Sequence, residues 1–295
     1  MLKLGIIGLS SGNGHPYSWS AIYNGYNPEI MKNCPFPLIP DYLSKYSFPE
    51  DSISKASVTH IWTQDYKLSK EIAAATNIEF IAENYIDMIE KVDGIILARD
   101  DYQFHRSFAK NIIPSGLPIY IDKPLATSTD AAKEILSLQK YPGQVFTASA
   151  LAYDPRLKKL INNIEQGQKI KFFSGIAPGN WDKYSVHLID CFLKIIKLPI
   201  KIKKSINFIE GNKQIMNGSL DSGESFSFVC LGGEATPIKI LVVLENESIE
   251  ISFQDPFLAF KSALEIFTEN IDKKSIIRSE EEILSSIKFI SLGMR

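Results

Sequence analysis

The chain has 295 residues, 45% of them hydrophobic, enough to bury the core of two medium domains or one large one. Its 32 Lys+Arg against 34 Asp+Glu leave a formal net charge of -2, which gives no support for nucleic acid or an acidic membrane as a partner. Cys34, Cys191 and Cys230 are far apart and form no CxxC pair, so they read as reduced, buried thiols and not as a zinc site or a disulfide framework.

The first residues, MLKLGIIGLSSGNGH, carry one lysine and a short apolar stretch crowded with glycine and serine, unlike a signal peptide. No apolar run is long enough to span a bilayer. The expectation is a soluble cytoplasmic protein.

Leu2 to Leu9 reads as a short buried strand, followed by the turn-forming GLSSGNGHPYS and a helix over about Tyr17 to Tyr23. Residues 24–56 hold many prolines and aromatics with little periodicity, and read as an ordered excursion because Phe36, Leu38, Ile39, Tyr42, Leu43, Tyr46 and Phe48 need burial. SVTHIW (57–62) is a strand. DYKLSKEIAAATN (65–77) has helical spacing, and NYIDMIEK is a short helix. VDGIILAR (92–99) is a strand, QFHRSFAKNII a helix closed by Pro114 and Gly116, and LPIYID (117–122) another strand. Strands alternating with helices predict a parallel sheet covered on both faces.

Beyond Pro124, Thr127 can cap a helix to about Gln139, with Asp130 completing a capping box. QVFTASA is a strand and DPRLKKLINNIEQG a helix opened by Asp154 and Pro155. The texture then changes to strands joined by short polar turns, interrupted by one helix over about 183–196 and closed by a helix pair near 257–270 and 279–292. The fold class is therefore α/β. A Rossmann-type parallel-sheet domain over 1–124 is followed by an α+β domain over 125–295 with an open, mostly antiparallel sheet. The helix over 127–139 is allowed to bridge them. One face of the open sheet, with Phe226, Phe228, Ile240, Val242, Ile249 and Ile251, is expected to pair with another subunit in a homodimer or homotetramer.

Two motifs carry chemistry. In GIIGLSSGNG, glycines directly after a strand let backbone N–H groups approach a diphosphate at a helix start. Gly8 fills the first place of GxGxxG, Ser10 the second and Asn13 the third, or Gly12 serves through a shifted loop, with Ser11 beside it. The next strand should end in an acid that holds an unphosphorylated ribose; Thr63 stands near that place and Asp65 two residues on. No arginine follows to welcome a 2′-phosphate, so the sequence leans to NAD over NADP.

The second motif is IYIDKPLATS. Lys123 follows a strand end, where open α/β sheets bind ligands, and Pro124 can be cis, which would point the lysine inward. The plainer alternative is a loop lysine paired with Asp122. His187 lies on an apolar helix in NWDKYSVHLIDCF, with Asp190 three residues on and Trp181, Lys183 and Tyr184 before it as candidate substrate contacts. It is either a satisfied core group or a catalyst. A lysine and a histidine suit carbonyl/alcohol chemistry, one moving the hydroxyl proton while the other holds a neighbouring oxygen. No ligand spacing links His15, Cys34, His105 and His187, so no metal site is expected.

GIIGLSSGNG, DKPLATS and VHLID together resemble the glucose–fructose oxidoreductase / inositol dehydrogenase family of NAD(P)-dependent oxidoreductases over nearly the whole chain. That resemblance makes Lys123 and His187 the catalytic residues and puts Asp122 in place of the usual glutamate. It implies a sugar or cyclitol substrate, nucleotide-linked in some members, oxidised at a ring hydroxyl or formed by the reverse reduction. It places Asp122, Arg99, where the family usually reads Thr-Pro, and His105, a recurrent histidine, beside the cofactor; for the charged stretch Arg99, Asp100 and Asp101 a solvated loop is the equal alternative.

Three departures stand out. Lys183 occupies the family's aspartate position four residues before the histidine, where it can contact an anionic substrate group. The turn lacks the second glycine. The 24–56 excursion is longer than the family needs, and His15, Tyr17 and Trp19 can lead it over the substrate, as an alternative to surface packing. Two other functions stay open. One is an enzyme of this fold that uses tightly bound NAD transiently for elimination or hydrolysis. The other is a non-catalytic dinucleotide-binding regulator.

Overall fold

The computed structural model describes residues 1–165, 168–196 and 198–294. They form two compact units.

Unit 1 comprises Met1–Leu125, Lys133–Thr147 and Phe260–Ser279. Its elements begin with β1 (Leu2–Gly8), α1 (His15–Asn24), α2 (Pro28–Met31), α3 (Leu38–Leu43), β2 (Ala56–Thr63), α4 (Tyr66–Ala75) and β3 (Phe80–Ile81). They continue with β4 (Gly94–Leu97), α5 (His105–Ile112), β5 (Ile119–Ile121), the C-terminal part of α6 (Thr129–Leu136) and β6 (Val145–Phe146). The six strands form one parallel sheet in the order β3-β2-β1-β4-β5-β6. Leu4, Ile6 and Ile7 of β1, and Ile95, Ile96 and Leu97 of β4, are wholly buried, as strands covered on both faces must be.

The Tyr85–Met88 stretch forms a 3-10 turn where the sequence predicts a short helix. The 24–56 excursion supplies α2 and α3, which pack on α1 and α4. Its apolar residues Met31, Ile39, Tyr42, Leu43 and Ile53 find their burial there. The sixth helix is capped by Ser128, whose hydroxyl accepts from the Ala131 N–H at 3.3 Å, and not by Thr127.

Unit 2 comprises Ala126–Ala132, Ala148–Ala259 and Glu280–Arg295. It contains α7 (Pro155–Glu165), β7 (Ile170–Ala177), α8 (Trp181–Ile195), β8 (Ile202–Glu210), β9 (Lys213–Leu220), β10 (Ser225–Cys230), β11 (Ile238–Leu244), β12 (Ser248–Phe253) and, after α9 (Phe257–Lys273), α10 (Glu280–Gly293). The sheet order is β12-β11-β7-β10-β9-β8, antiparallel except for the parallel β10–β7 pair. Helices α8 and α10 cover one face, where Phe192 and Phe289 meet Phe226 and Phe228 at centroid distances of 5.4–6.0 Å.

That packing reverses one expectation. Phe226, Phe228, Ile240, Val242 and Ile251 are buried on the side of the sheet that carries α8 and α10, so they are not the free face. Ile249, opposite Val242, shares their side. Strand alternation turns their neighbours outward instead. Phe208, Ile215, Val229 and Ile176 lie in register across β8, β9, β10 and β7, half-buried or exposed.

The division of the chain differs from a single cut near residue 124. The chain leaves unit 1 at Leu125 but returns to it for β6 and for most of α9. The reason is side-chain bonding within unit 1. The Tyr23 hydroxyl donates to the Leu264 carbonyl at 3.1 Å and lies 2.9 Å from the Thr268 hydroxyl. Phe267 continues the aromatic stack of Trp19, Tyr120 and Phe146. Cys34, Cys191 and Cys230 are free and buried.

Candidate functional site

In unit 1 the strand order reverses between β1 and β4, and open α/β sheets bind ligands in the crevice at the carboxyl ends of such strands. The Gly-rich turn sits at that point. Gly8 closes β1 under Pro16 of α1: an added Cβ would lie 2.3 Å from the proline Cγ. Gly12 takes a positive φ of 78°, and nothing lies within 4 Å of where its Cβ would be. Ser11 and Gly12 are exposed, and among the described residues their N–H groups donate to no protein acceptor. Open space, a left-handed glycine and unpaired N–H groups at a switch point fit the diphosphate of a dinucleotide.

Around this turn the polar side chains are bonded to one another. The Ser10 hydroxyl donates to Asp100 at 2.7 Å and accepts the Asp100 N–H at 3.2 Å. Gln64, just past β2, grips Leu9: its Oε1 accepts the Leu9 N–H at 3.1 Å and its Nε2 donates to the Leu9 carbonyl at 2.7 Å. Arg99 donates to the same Oε1 at 3.0 Å and makes two further bonds to Asp101, at 3.0 and 2.6 Å. Its guanidinium lies over the rings of Phe104 and Phe108. Ser10 and Arg99 thus shape the crevice.

Two expectations for cofactor contact, at Thr63 and His105, are corrected here. Thr63 is buried, its hydroxyl donating to the Asp65 carbonyl at 2.6 Å and lying 2.9 Å from the Ser69 hydroxyl. Asp65 caps α4 by accepting the Lys67 N–H at 2.8 Å. His105 is fully buried, with Nδ1 3.0 Å from the Leu125 carbonyl and Nε2 2.7 Å from the Arg99 carbonyl. It ties two strand-end loops together. Burial pushes its pKa down, against the opposing pull of those two carbonyls. The residue that does face Leu9 at the end of β2 is Gln64; its place two residues before α4 was the signal for it.

At the end of β5, Asp122 is 1% and Lys123 7% exposed. The Lys123–Pro124 peptide is cis. Asp122 accepts the Lys123 N–H at 2.8 Å on Oδ1 and, on Oδ2, the Asn13 side-chain amide at 2.8 Å and His15 Nδ1 at 2.6 Å. Burial raises the pKa of this carboxyl. The opposing His15 charge and hydrogen bond, the Lys123 charge and the Asn13 bond outweigh it and leave the group well below the usual carboxylate range. Asn13 also accepts the His15 N–H at 2.8 Å. Asn13 and Asp122 are thus spent on holding the turn and β5 together.

Of the residues expected at the substrate, Trp19 and Tyr17 are excluded from direct contact by burial. Trp19 is stacked between His15 at 4.4 Å and Tyr120 at 5.1 Å. Tyr17 packs near Phe36 of the excursion, and its burial, with Cys34 and Glu71 nearby, pushes its phenol up to about 12. The Tyr42 hydroxyl donates to Ser18 of α1. The excursion is therefore packing for α1 and α4 within unit 1.

In unit 2, α8 presents His187, whose Nδ1 lies 2.8 Å from the Ser149 hydroxyl. Asp190, one turn on, accepts the Ser149 N–H at 2.7 Å and the Ser286 hydroxyl at 2.6 Å. Ser149 thus orients the histidine and is itself anchored by Asp190, a relation no sequence spacing could reveal. Tyr184 meets the His187 ring edge-on at 5.6 Å, and Tyr184 and Lys183 are both half-buried. Trp181 is a correction: it is buried, and its indole N–H donates to the Ile290 carbonyl at 2.9 Å, which makes it an anchor for α10 and not a substrate contact. Among the described residues, no group of three or more His, Cys, Asp or Glu is gathered as a metal would require, and no helix is long and apolar enough to cross a membrane.

The parallel sheet and the second, mostly antiparallel sheet define a Rossmann-type domain followed by an α+β domain. Residues 44–149 match the model described as "Oxidoreductase family, NAD-binding Rossmann fold". Among solved structures, myo-inositol 2-dehydrogenase from Lactobacillus plantarum aligns over 99% of this chain and 96% of its own, with a TM-score of 0.74 at 14% identity. Scyllo-inositol dehydrogenase from Lactobacillus casei, with bound NAD(H) and scyllo-inositol, aligns over 98% and 95% with a TM-score of 0.73 at 12% identity. A variant of a 3-ketoreductase from Actinomadura kijaniata, in complex with TDP-benzene and NADP, aligns over 99% and 96% with a TM-score of 0.68 at 11% identity. No curated protein matches the chain by sequence. The family-model match and the shared fold bear out the resemblance to the glucose–fructose oxidoreductase / inositol dehydrogenase family.

Proposed function

We propose that the chain is an NAD(P)-dependent oxidoreductase acting on a ring hydroxyl, or the matching ketone, of a sugar or cyclitol, free or nucleotide-linked. The observation that carries this reading is a buried lysine at the end of β5, in the same unit as an open Gly-rich turn at the switch point. Ser11 and Gly12 would hold the cofactor's diphosphate. Bound there, the nicotinamide supplies the acceptor or donor of hydride. Lys123 takes the hydroxyl proton in oxidation and returns it in reduction. His187, held by Ser149, is the second proton-handling residue that the family resemblance assigns.

NAD is the proposed cofactor. Arg99 is committed to Asp101 and Gln64, and Asp100 and Asp101 add two carboxylates at the end of β4 that would repel a 2′-phosphate. Titration calorimetry with NADH and NADPH tests this. We expect micromolar NADH binding and weaker NADPH binding. Tighter NADPH binding overturns the preference, and binding of neither overturns the redox reading.

We also propose that the outward row of Phe208, Ile215, Val229 and Ile176 pairs with a second copy of the chain. Sedimentation should show a dimer or tetramer at micromolar concentration. A monomer throughout would remove the assembly.

A further inference from the structure

A helix that follows a dinucleotide turn ordinarily offers its free N–H groups to the diphosphate. In α1 the donors beyond the cap residue Gly14 are spent or missing. The His15 N–H donates to Asn13 Oδ1 at 2.8 Å, Pro16 has no N–H, and the Tyr17 and Ser18 N–H groups both donate to the Gly14 carbonyl, at 3.0 and 3.2 Å. What stands at that helix end instead is an imidazole. His15 is the first residue of α1, and its side chain is 18% exposed. Trp19 stacks on one face of the ring at 4.4 Å, and Phe260 meets it edge-on at 5.2 Å. Its Nδ1 lies 2.6 Å from Asp122, while its Nε2 has no hydrogen-bond partner among the described residues. A buried carboxylate on one ring nitrogen fixes the ring and leaves the other nitrogen as its one open polar atom.

The sequence expectation put His15 at the substrate; in the structure it opens α1, directly after the Gly-rich turn. We propose that His15 binds an oxygen of the cofactor's diphosphate through Nε2–H, taking over from the backbone donors that α1 has lost, with Asp122 as its positioning partner. The inference rests on the dinucleotide reading above. It also gives the buried Asp122 a purpose: the carboxylate orients the imidazole toward an anion and ties the Gly-rich turn to β5.

Two substitutions separate the ring's two nitrogens. His15→Asn keeps a donor near the Nδ1 position for Asp122 and removes Nε2. His15→Gln places a donor near the Nε2 position and gives up the Asp122 contact. Calorimetric titrations would use NADH, ADP and adenosine, with each variant checked by its thermal midpoint. His15→Asn should weaken NADH and ADP by about 10- to 100-fold, the loss of one charge-assisted hydrogen bond, and leave adenosine unchanged. His15→Gln should recover part of that loss. Wild-type NADH and ADP affinity in His15→Asn overturns this inference alone. So does an equal loss for adenosine, which would make the ring a packing group. A wild-type chain that binds neither NADH nor ADP overturns both this inference and the dinucleotide reading.

Discussion

Replacing Lys123 with alanine is expected to lower turnover of whichever polyol or cyclitol the wild-type chain oxidises by about 10²- to 10⁴-fold, the usual worth of a positioned acid or base. Cofactor binding should stay within a few-fold of wild type, because side-chain bonds from other residues shape the turn. Those come from Asn13, Ser10, Gln64 and Arg99. The contrast matters because Lys123 is buried next to a buried carboxylate, and an ordinary structural ion pair would sit in the same way. A structural lysine, once lost, leaves Asp122 short of one compensating charge and costs stability. A catalytic lysine, once lost, costs rate. Steady-state kinetics and thermal midpoints on Lys123→Ala and Lys123→Met separate the two. A variant that melts early but turns over at the wild-type rate would remove Lys123 from the chemistry.

The largest effect on stability is expected from Phe192→Ala. Phe192 of α8 is wholly buried, with Phe173 at 5.2 Å, Phe226 and Phe228 each at 5.4 Å and Phe289 at 5.9 Å. It touches strands β7 and β10 and helix α10 through these rings. Truncation removes about 3–5 kcal/mol, the transfer energy of the ring plus the cavity it leaves, and forfeits edge-to-face pairs worth about 0.5–1.5 kcal/mol each. The chain has two units, so a single unfolding midpoint can blur the loss. Hydrogen exchange read on the amides of β7 and β10 resolves it. Protection in β1 and β4 of unit 1 should change little. A loss under about 1 kcal/mol in β7 and β10 would mean that the cluster is not the core of unit 2.

What the sequence determined by itself was local and periodic. Continuous apolar runs at Leu4–Gly8 and Gly94–Leu97 announce strands buried on both faces, and the alternation that opens Ser225–Cys230 announces a sheet with one free face. The glycines at 8 and 12 mark the turn, and the short Asp122-Lys123-Pro124 run marks the strand end. These features depend on neighbours a few residues away, so the chain displays them directly.

Only the tertiary structure decided how those pieces are used. Alternation shows that a sheet has two faces but not which one the helices cover, and so Phe226 and Phe228 lie under α8 and α10 instead of at a free surface. An amphipathic helix near residue 260 can serve either unit; the Tyr23 hydroxyl and the aromatic stack give most of it to unit 1. Thr63, His105, Trp19 and Trp181 carry the right chemistry for a site, but their polar atoms or ring faces are spent on partners distant in the chain, or on backbone that only the fold brings near. The pairing of His15 with Asp122 spans 107 residues and follows from the parallel register that sets the ends of β1 and β5 at one edge of the sheet.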